Sequence, residues 1–519
     1  MQHHRYEIET ARPFAESLIW QLNRDYYQKT GVEAWRAGTV PHHLTSNSMV
    51  GKTYAELIFA FLRDLADQGQ HHDKVYLLEL GAGHGRLAFH ILRHLEVFTA
   101  QAGMQLPPYC YVLSDIVEDN LQFFQQHPQF QPYFADGRLD VAYFDAIGSQ
   151  ELELRHAGIT IAAADLQQPL LAIANYFFDS LPNDLFYFKD GQLSSCTVAL
   201  TSAVDPTGLD EAALFAALEL VYDTAPLARP GYENPIFNSI LAGYRQLVFN
   251  TFLLFPRLGL ECLDNLRQLS QKGLFVLSMD KGFHEIHDLE HAPAPKMITH
   301  GSVSFSVNYH ALGAYCQQHA GTVFFPEFAT FNLELGCLLF LPKGERFTET
   351  RAAYQRVVNG FGPDDISGLM KFTYRHINDM DLPELIGVLR MGGYDSTLFK
   401  NVLPRLKQLS LQVTFNERTR LAQTLHQIWG MYFTLNEPAD LAFEIGGLLY
   451  ALAYYDDAVR YFQYSTDHFG HTPDSYYNRI LCYYQLRHDQ LFSATLREAQ
   501  AHFPDFAEFA QLEQLDLGA

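Results

Sequence analysis

Residues 75–92 read VYLLELGAGHGRLAFHIL. Val75, Leu77, Leu78 and Leu80 make a short apolar run, the pattern of a buried parallel strand. Gly81, Ala82, Gly83 and Gly85 follow, and the glycines let the backbone turn tightly and approach a ligand with no Cβ in the way. From Arg86 onward, Leu87, Ile91 and Leu95 recur at helical spacing. Strand, glycine loop and helix in this order form the nucleotide-binding corner of a doubly wound sheet. The spacing is G-x-G-x-G, with Glu79 two residues before the first glycine. A dinucleotide fingerprint reads G-x-G-x-x-G and a phosphate loop ends in G-K-S/T; neither fits.

Further α/β units follow. Tyr109–Leu113 reads as a strand ending in Ser114-Asp115-Ile116, and Leu139–Phe144 as another ending in Asp145. Leu170–Ala174 precedes Asn175-Tyr176-Phe177-Phe178-Asp179-Ser180-Leu181-Pro182, and Leu274–Ser278 precedes Met279-Asp280-Lys281-Gly282. Thr322–Phe325 and Leu335–Leu341 read as closing strands after a helix over Tyr309–His319. Alternation of strands and helices predicts a mostly parallel sheet. Between the strands at 170 and 274 lies an insertion of roughly 80 residues, about 190–272, too long for an ordinary loop. Its spacing predicts helices over Glu211–Tyr222 and Ile236–Leu269. It reads either as a lid or substrate wall, because ligands bind at the strands' carboxyl ends, or as structural elaboration.

Upstream, residues 1–73 read as mostly helical. Apolar residues recur at roughly helical spacing over Phe14–Tyr27. The polar turn Thr45-Ser46-Asn47-Ser48 starts a helix over Thr53–Ala66, whose apolar face is Tyr54, Leu57, Ile58, Phe61, Leu62 and Leu65. This segment packs on the sheet, or its polar turn lies beside a ligand. Downstream, the polar stretch 346–363 reads as a linker and 364–519 as an all-α domain. Ala442, Ala458, Phe462 and Ser465 align 34 residues ahead with Tyr476, Phe492, Leu496 and Ala499, the period of the tetratricopeptide (TPR) repeat. Gly446, Tyr455-Asp456-Asp457-Ala458 and Pro504 also resemble that pattern, and Gly392-Gly393 marks a turn between upstream helices. Repeat stacks present concave surfaces on which peptides dock.

A chain of 519 residues suggests about two to four domains. Its 48% hydrophobic content supports packed cores and excludes a disordered chain. The net charge of −23 disfavours nucleic acid as the main partner, since phosphate binding needs clustered Lys and Arg. No apolar run is long enough for a membrane span, and the opening MQHHRYEIETARPF lacks a signal-peptide pattern. Cys110, Cys196, Cys262, Cys316, Cys337 and Cys482 are scattered in apolar contexts, which points to free thiols and a cytoplasmic location. His284-Glu285-Ile286-His287 does not have the H-E-x-x-H zinc spacing, and the pairs His3-His4 and His71-His72 lack partners, so no metal site is expected.

The E-x-G-x-G-x-G segment resembles motif I of class I S-adenosylmethionine (SAM) methyltransferases. LTSNSMVGKTYAELI (44–58), LELGAGHGRLA (78–88), ANYFFDSLP (174–182), GLFVLSMDKG (273–282) and SVSFSVNYHALGAY (302–315) together resemble the MidA-like SAM-dependent methyltransferases. That family includes mitochondrial complex I assembly factors that methylate arginine on a protein subunit. The resemblance covers about 15–345 and implies a Rossmann-like, doubly wound α/β catalytic domain over 74–345; the TPR-like tail lies outside the family's usual architecture. The family pattern near A-N-E-F-F-D-A-L-P has Glu where this chain has Tyr176. Tyrosine cannot pair with a guanidinium as a carboxylate does, so arginine specificity does not carry over.

For SAM, the resemblance implies these roles. Glycines 81, 83 and 85, with Ala82, lie along the methionyl and ribose part, and Glu79 orients the loop or meets the methionine ammonium through water. Asp115, beside Ile116, is placed to accept from both ribose hydroxyls. Phe144 and Asp145 reach the adenine edge, where Asp145 accepts from the amino group. Asn175 aims an acceptor nitrogen at the methyl group, and Tyr176 and Phe177 supply aromatic walls that tolerate a cationic centre. Asp179 either orients the turn by bonding backbone N–H groups or acts as a general base. His284 and Glu285 are candidate bases or solvated loop residues. The reading is N-methylation of a protein or peptide docked by the repeats. The alternatives are a small-molecule methyltransferase whose repeats serve dimerisation or regulation, and a non-catalytic SAM-binding assembly factor.

Overall fold

The computed structural model describes residues 5–36, 45–227, 231–299, 301–328, 330, 333–435 and 437–513. His3, His4 and Leu44 of the motifs above lie outside these. The chain divides into two compact units, Met1–Ile366 and Ser367–Ala519.

The first unit is built on a seven-stranded sheet: β1 (Val75–Glu79), β2 (Tyr109–Asp115), β3 (Leu139–Tyr143), β4 (Leu170–Asn175), β5 (Leu274–Asp280), β6 (Thr322–Phe324) and β7 (Glu334–Phe340). The spatial order is β3-β2-β1-β4-β5-β7-β6. β1 to β5 run parallel, and β7 lies antiparallel between β5 and β6. Every residue of β2, β5 and β7 is buried, which is why these strands read as unbroken apolar runs rather than alternating ones. The strand order reverses between β1 and β4, and the crevice at their carboxyl ends is where a doubly wound sheet binds ligands.

Helix α1 (Leu18–Thr30) is capped by Ser17, α2 (Ser48–Asp67) by Asn47, and α3 (Arg86–Ala100) leaves the glycine loop. All six residues of the predicted α2 face are fully buried, and Phe61 packs on Phe275 of β5 at 5.0 Å. Helices α2 and α3 cross so closely that a Cβ at Gly51 would sit 2.3 Å from the Cβ of His90.

Three expectations are extended or corrected. Residues 1–73, read as mostly helical, also hold a strand that went unread, Tyr6–Pro13. The insertion is not simply helical: it holds strands Gln192–Ser202, Leu218–Pro226 and Thr251–Phe255 beside helices Glu211–Ala217, Pro235–Leu247 and Arg257–Gln268. Gln192–Ser202 pairs antiparallel with Tyr6–Pro13, Leu218–Pro226 and Asp184–Lys189, so insertion and N-terminus share one second sheet. Its core joins Phe14, Ile19 and Trp20 to Val198, Leu200 and Phe305. Third, the stretch read as a linker is packed into the first unit. Asp64 of α2 accepts from the N–H groups of Glu349 and Thr350 and from the Thr350 hydroxyl, at 3.0, 2.8 and 2.7 Å. Phe347 stacks on Phe61, and the Tyr354 hydroxyl donates to the Leu335 carbonyl.

In the second unit, all regular secondary structure among the described residues is helical and includes α4 (Leu382–Met391), α5 (Ser396–Leu409), α6 (Phe415–Gly430), α7 (Leu441–Ala451), α8 (Tyr455–Phe469), α9 (Pro473–Leu486) and α10 (Asp489–His502). Gly392 and Gly393 join α4 to α5, and capping boxes of Asp381 with Glu384 and Thr414 with Glu417 start α4 and α6. The eight positions aligned at a 34-residue period are all buried. A Cβ at Gly446 would lie 2.9 Å from the Phe462 ring, so the small residue is what admits the aromatic one. A groove of roughly 640 Å³ between α4 and α6 is lined by residues that include Ile386, Arg390, Tyr394, Glu417, Arg420 and Gln427.

Candidate active site

At the β1/β4 switch point the glycine loop opens on a cavity with two lobes, of roughly 280 and 330 Å³. The first is lined by Glu79, Gly81, Ala82, Gly83, Asn175, Tyr176 and Asp179, together with Ser46, His84, Lys281 and Ser304. The second is lined by Asp115, Ile116, Phe144, Asp145 and Phe177, together with Arg24 and Asn120. Of the residues singled out for the cofactor, Gly85 alone lines neither lobe. It caps α3 in the left-handed region, and its Cβ position faces the rings of Phe124 and Phe130. Gly83 also has φ +60, and its Cβ position is 2.9 Å from the Trp35 indole, so no side chain fits there.

The Asp115 carboxylate accepts from Gly83 N–H at 2.9 Å, Val117 N–H at 2.9 Å and the Asn120 amide at 3.1 Å. The Ile116 N–H also bonds to this carboxylate, and Asp115 lines the second lobe, where the ribose was expected. Burial raises its pKa, and the same donors oppose the rise. Asp145 does not face an adenine amino group unaccompanied: Arg24 of α1 donates to it at 2.7 Å, and Ile147 N–H at 3.1 Å.

Glu79 is 3% exposed and accepts from the Tyr111 hydroxyl at 2.9 Å. Burial pushes its carboxyl up to about 8 against that hydrogen bond, and the charge of Asp115 adds to the rise. It is therefore held neutral at pH 7. The Tyr54 hydroxyl of α2 reaches Asn175 Oδ1 at 3.4 Å. Tyr176 sits at φ +52 and donates its N–H to the Met279 carbonyl at 2.9 Å.

The turn after β4 is not held by Asp179. Asp280, at the end of β5, accepts from Phe178 N–H at 3.2 Å and Phe177 N–H at 3.4 Å. Asp280 is fully buried, and burial with the Asp179 charge raises its pKa against those backbone donors. Asp179 accepts instead from the Ser180 hydroxyl at 2.9 Å, and its carboxyl faces the first lobe. Burial pushes it up to about 6, partly offset by the Ser180 and Ser304 hydroxyls and by Lys281.

His284 and Glu285 line neither lobe. His284 pairs with Glu285 and with the buried Glu334, and stacks on Phe325 at 4.9 Å, so it is a packed side chain rather than a base or a solvated one. Among the described residues of 190–272, none lines the cavity. Its roof comes from Tyr27, Trp35, Thr45 and Ser46 and from Ile298, Ser302 and Ser304, with Trp20, Gln21, Asn23 and Arg24 over the second lobe. Sequence reasoning missed Arg24, Tyr27 and Trp35, because no local pattern marks a side chain brought in by distant strand pairing. It also missed Asp280, whose place at a strand's carboxyl end was the available signal.

The fold and cavity suit a nucleotide cofactor. Among the described residues no group of His, Cys, Asp and Glu is placed to hold a metal ion, and no helix is long and apolar enough to cross a membrane. Residues 55–236 match a family model described as "Putative S-adenosyl-L-methionine-dependent methyltransferase". Over that stretch the chain is similar to SAM-dependent methyltransferases, a class whose cofactor is SAM. Two solved structures from Burkholderia thailandensis are similar to it. One is an uncharacterized superfamily protein, 15% identical, covering 61% of this chain and 73% of that chain at a TM-score of 0.36. The other is a member of the same superfamily bound to S-adenosyl-homocysteine, 15% identical, covering 60% and 78% at a TM-score of 0.35. No curated protein matches the chain.

Proposed function

We propose that the chain N-methylates a protein or peptide, held by the helical unit while one side chain enters the first lobe. The observation that carries this reading is the pairing of two features. One is a lobe with a buried carboxylate, Asp179, next to Asn175; the other is a unit of stacked helices with a groove between α4 and α6. The TPR-like period of 34 residues and the Gly446–Phe462 packing support a repeat stack. The residues fit SAM: Gly81 and Gly83 bring bare backbone to the junction of the lobes, Asp115 lines the second lobe, and Glu79 lines the first.

When bound, SAM supplies a methyl group on a positively charged sulfur. The chain's own part is positioning, exclusion of water and removal of a proton. The Asn175 side-chain or backbone carbonyl accepts from the acceptor N–H and so aims its lone pair. Asp179, ionised above about pH 6, takes the proton that the nitrogen must lose. Asp280 keeps both in place through the backbone of the turn. Tyr176 offers no carboxylate for a guanidinium, so arginine specificity does not carry over from the resemblance. All six cysteines are free and buried, which suits a reducing compartment such as the cytoplasm.

The test is transfer of labelled methyl from SAM into the protein and metabolite fractions of a lysate. Label in protein, reduced by Arg390→Glu with Arg420→Glu while SAM affinity stays unchanged, is the expected result. Label only in metabolites favours a small-molecule acceptor, and SAM binding with no transfer favours an assembly role.

A further inference from the structure

The two lobes meet at six residues that line both: Tyr27, Trp35, Gly81, Gly83, Tyr176 and Ser180. Three are aromatic, and none carries a formal charge. Glu79 and Asp179 line the first lobe only and Asp115 and Asp145 the second only; Asp115 and Asp179 border the junction through bonds of 2.9 Å from Gly83 N–H and the Ser180 hydroxyl. The rings are held from several directions. Tyr27 and Trp35 stack at 5.7 Å with 23° between their planes. The Tyr27 hydroxyl donates to Ser302 Oγ at 2.8 Å, and Trp35 rests on Gly83. Tyr176 is locked by its left-handed backbone and its bond to Met279.

The cofactor's covalent order is adenosine, sulfur, amino-acid tail. With the adenosine in the Asp115 lobe and the tail in the Glu79 lobe, the sulfur falls where the lobes join. A cation over an aromatic face is attracted by the ring quadrupole, most strongly when water is excluded. We propose that Tyr27, Trp35 and Tyr176 form an aromatic collar that recognises the sulfonium charge, so that the protein separates the charged donor from its neutral thioether product, S-adenosylhomocysteine. This rests on the SAM reading of the site. The collar gives the product a weaker hold than the donor without any change in the contacts to adenine, ribose or carboxylate.

The test is calorimetric binding of SAM and of S-adenosylhomocysteine to the full chain and to Trp35→Leu, Tyr176→Leu and Trp35→Phe. Leucine at either position is expected to weaken SAM by about threefold or more, while the thioether changes by less than about twofold, and Trp35→Phe to retain most of the SAM affinity. Thioether binding also reports that each variant is folded, and Tyr176→Leu carries the test if Trp35→Leu does not fold. Equal weakening of both ligands, or of neither, overturns the collar while leaving the cofactor assignment standing. A native chain that binds neither ligand overturns the cofactor assignment and the collar with it.

Discussion

The carboxylate of Asp115 and the backbone N–H of Gly83 are joined by a hydrogen bond of 2.9 Å, across 32 residues of sequence. The end of β2 thereby sets the shape of the loop that follows β1. Asp115→Ala removes that anchor and the bonds to Val117 and Asn120 together. A hydrogen bond to a charged group is worth about 1.5–3 kcal/mol, so SAM affinity should fall by at least about tenfold, measured by calorimetry. Asp115→Asn should recover only part of it, because one oxygen becomes a donor facing donors.

Glu79 makes stability depend on pH in a definite direction. Its folded carboxyl titrates at about 8 against an ordinary value of 4.5, so between these the folded chain binds more protons than the unfolded chain. Stability is then lost as pH rises through that window. Glu79→Gln cannot ionise and keeps an acceptor for Tyr111. Its Tm should fall less than that of the native chain between pH 5 and pH 8.5 in thermal scans. A methionine ammonium arriving beside Glu79 would also drive its proton off. SAM binding at pH 7 should release a proton in the native chain and not in Glu79→Gln, read from calorimetry in buffers of different ionisation enthalpy.

Asp280→Ala frees the N–H groups of Phe177 and Phe178 from their acceptor. Leaving buried donors unsatisfied costs about 1–3 kcal/mol, seen as a lower midpoint in urea. The effect on chemistry should exceed the effect on cofactor affinity, because Asn175, Tyr176 and Asp179 move with the turn while the glycine loop does not. Asp280→Asn, which keeps an acceptor oxygen, should restore most of the stability.

Asp64 ties α2 to the segment 346–363 through three hydrogen bonds. Asp64→Ala should lower the thermal midpoint of the catalytic unit by several degrees, about 2–3 kcal/mol of lost capping and pairing. A segment acting only as a tether would give no change in that midpoint.

The main sheet was legible because its signals are local. Runs such as Tyr109–Leu113 and Leu274–Ser278 are apolar on both faces, and the glycines at 81, 83 and 85 sit where β1 must turn. The second sheet was not legible, because it pairs Tyr6–Pro13 with a strand nearly 190 residues away. Leu218, Leu220 and Tyr222 alternate at the strand period, yet the same stretch also satisfies a helical spacing, and only the partner strand decides between them. In the site, Glu79, Asn175 and Asp179 could be placed from strand ends alone. Trp35 and Arg24 arrive through tertiary packing. The partners of Asp145 and Asp280 likewise follow from neighbours that no local spacing encodes.

Among the described residues, β6 has β7 as its sole partner in the main sheet, and β7 in turn fills the space beside β5. A ribosome delivers β6 first, so that strand has no ladder to join at the moment it emerges. Closure of the sheet therefore waits for residues 334–340, which lie beyond the last residue lining the pocket, Ser304.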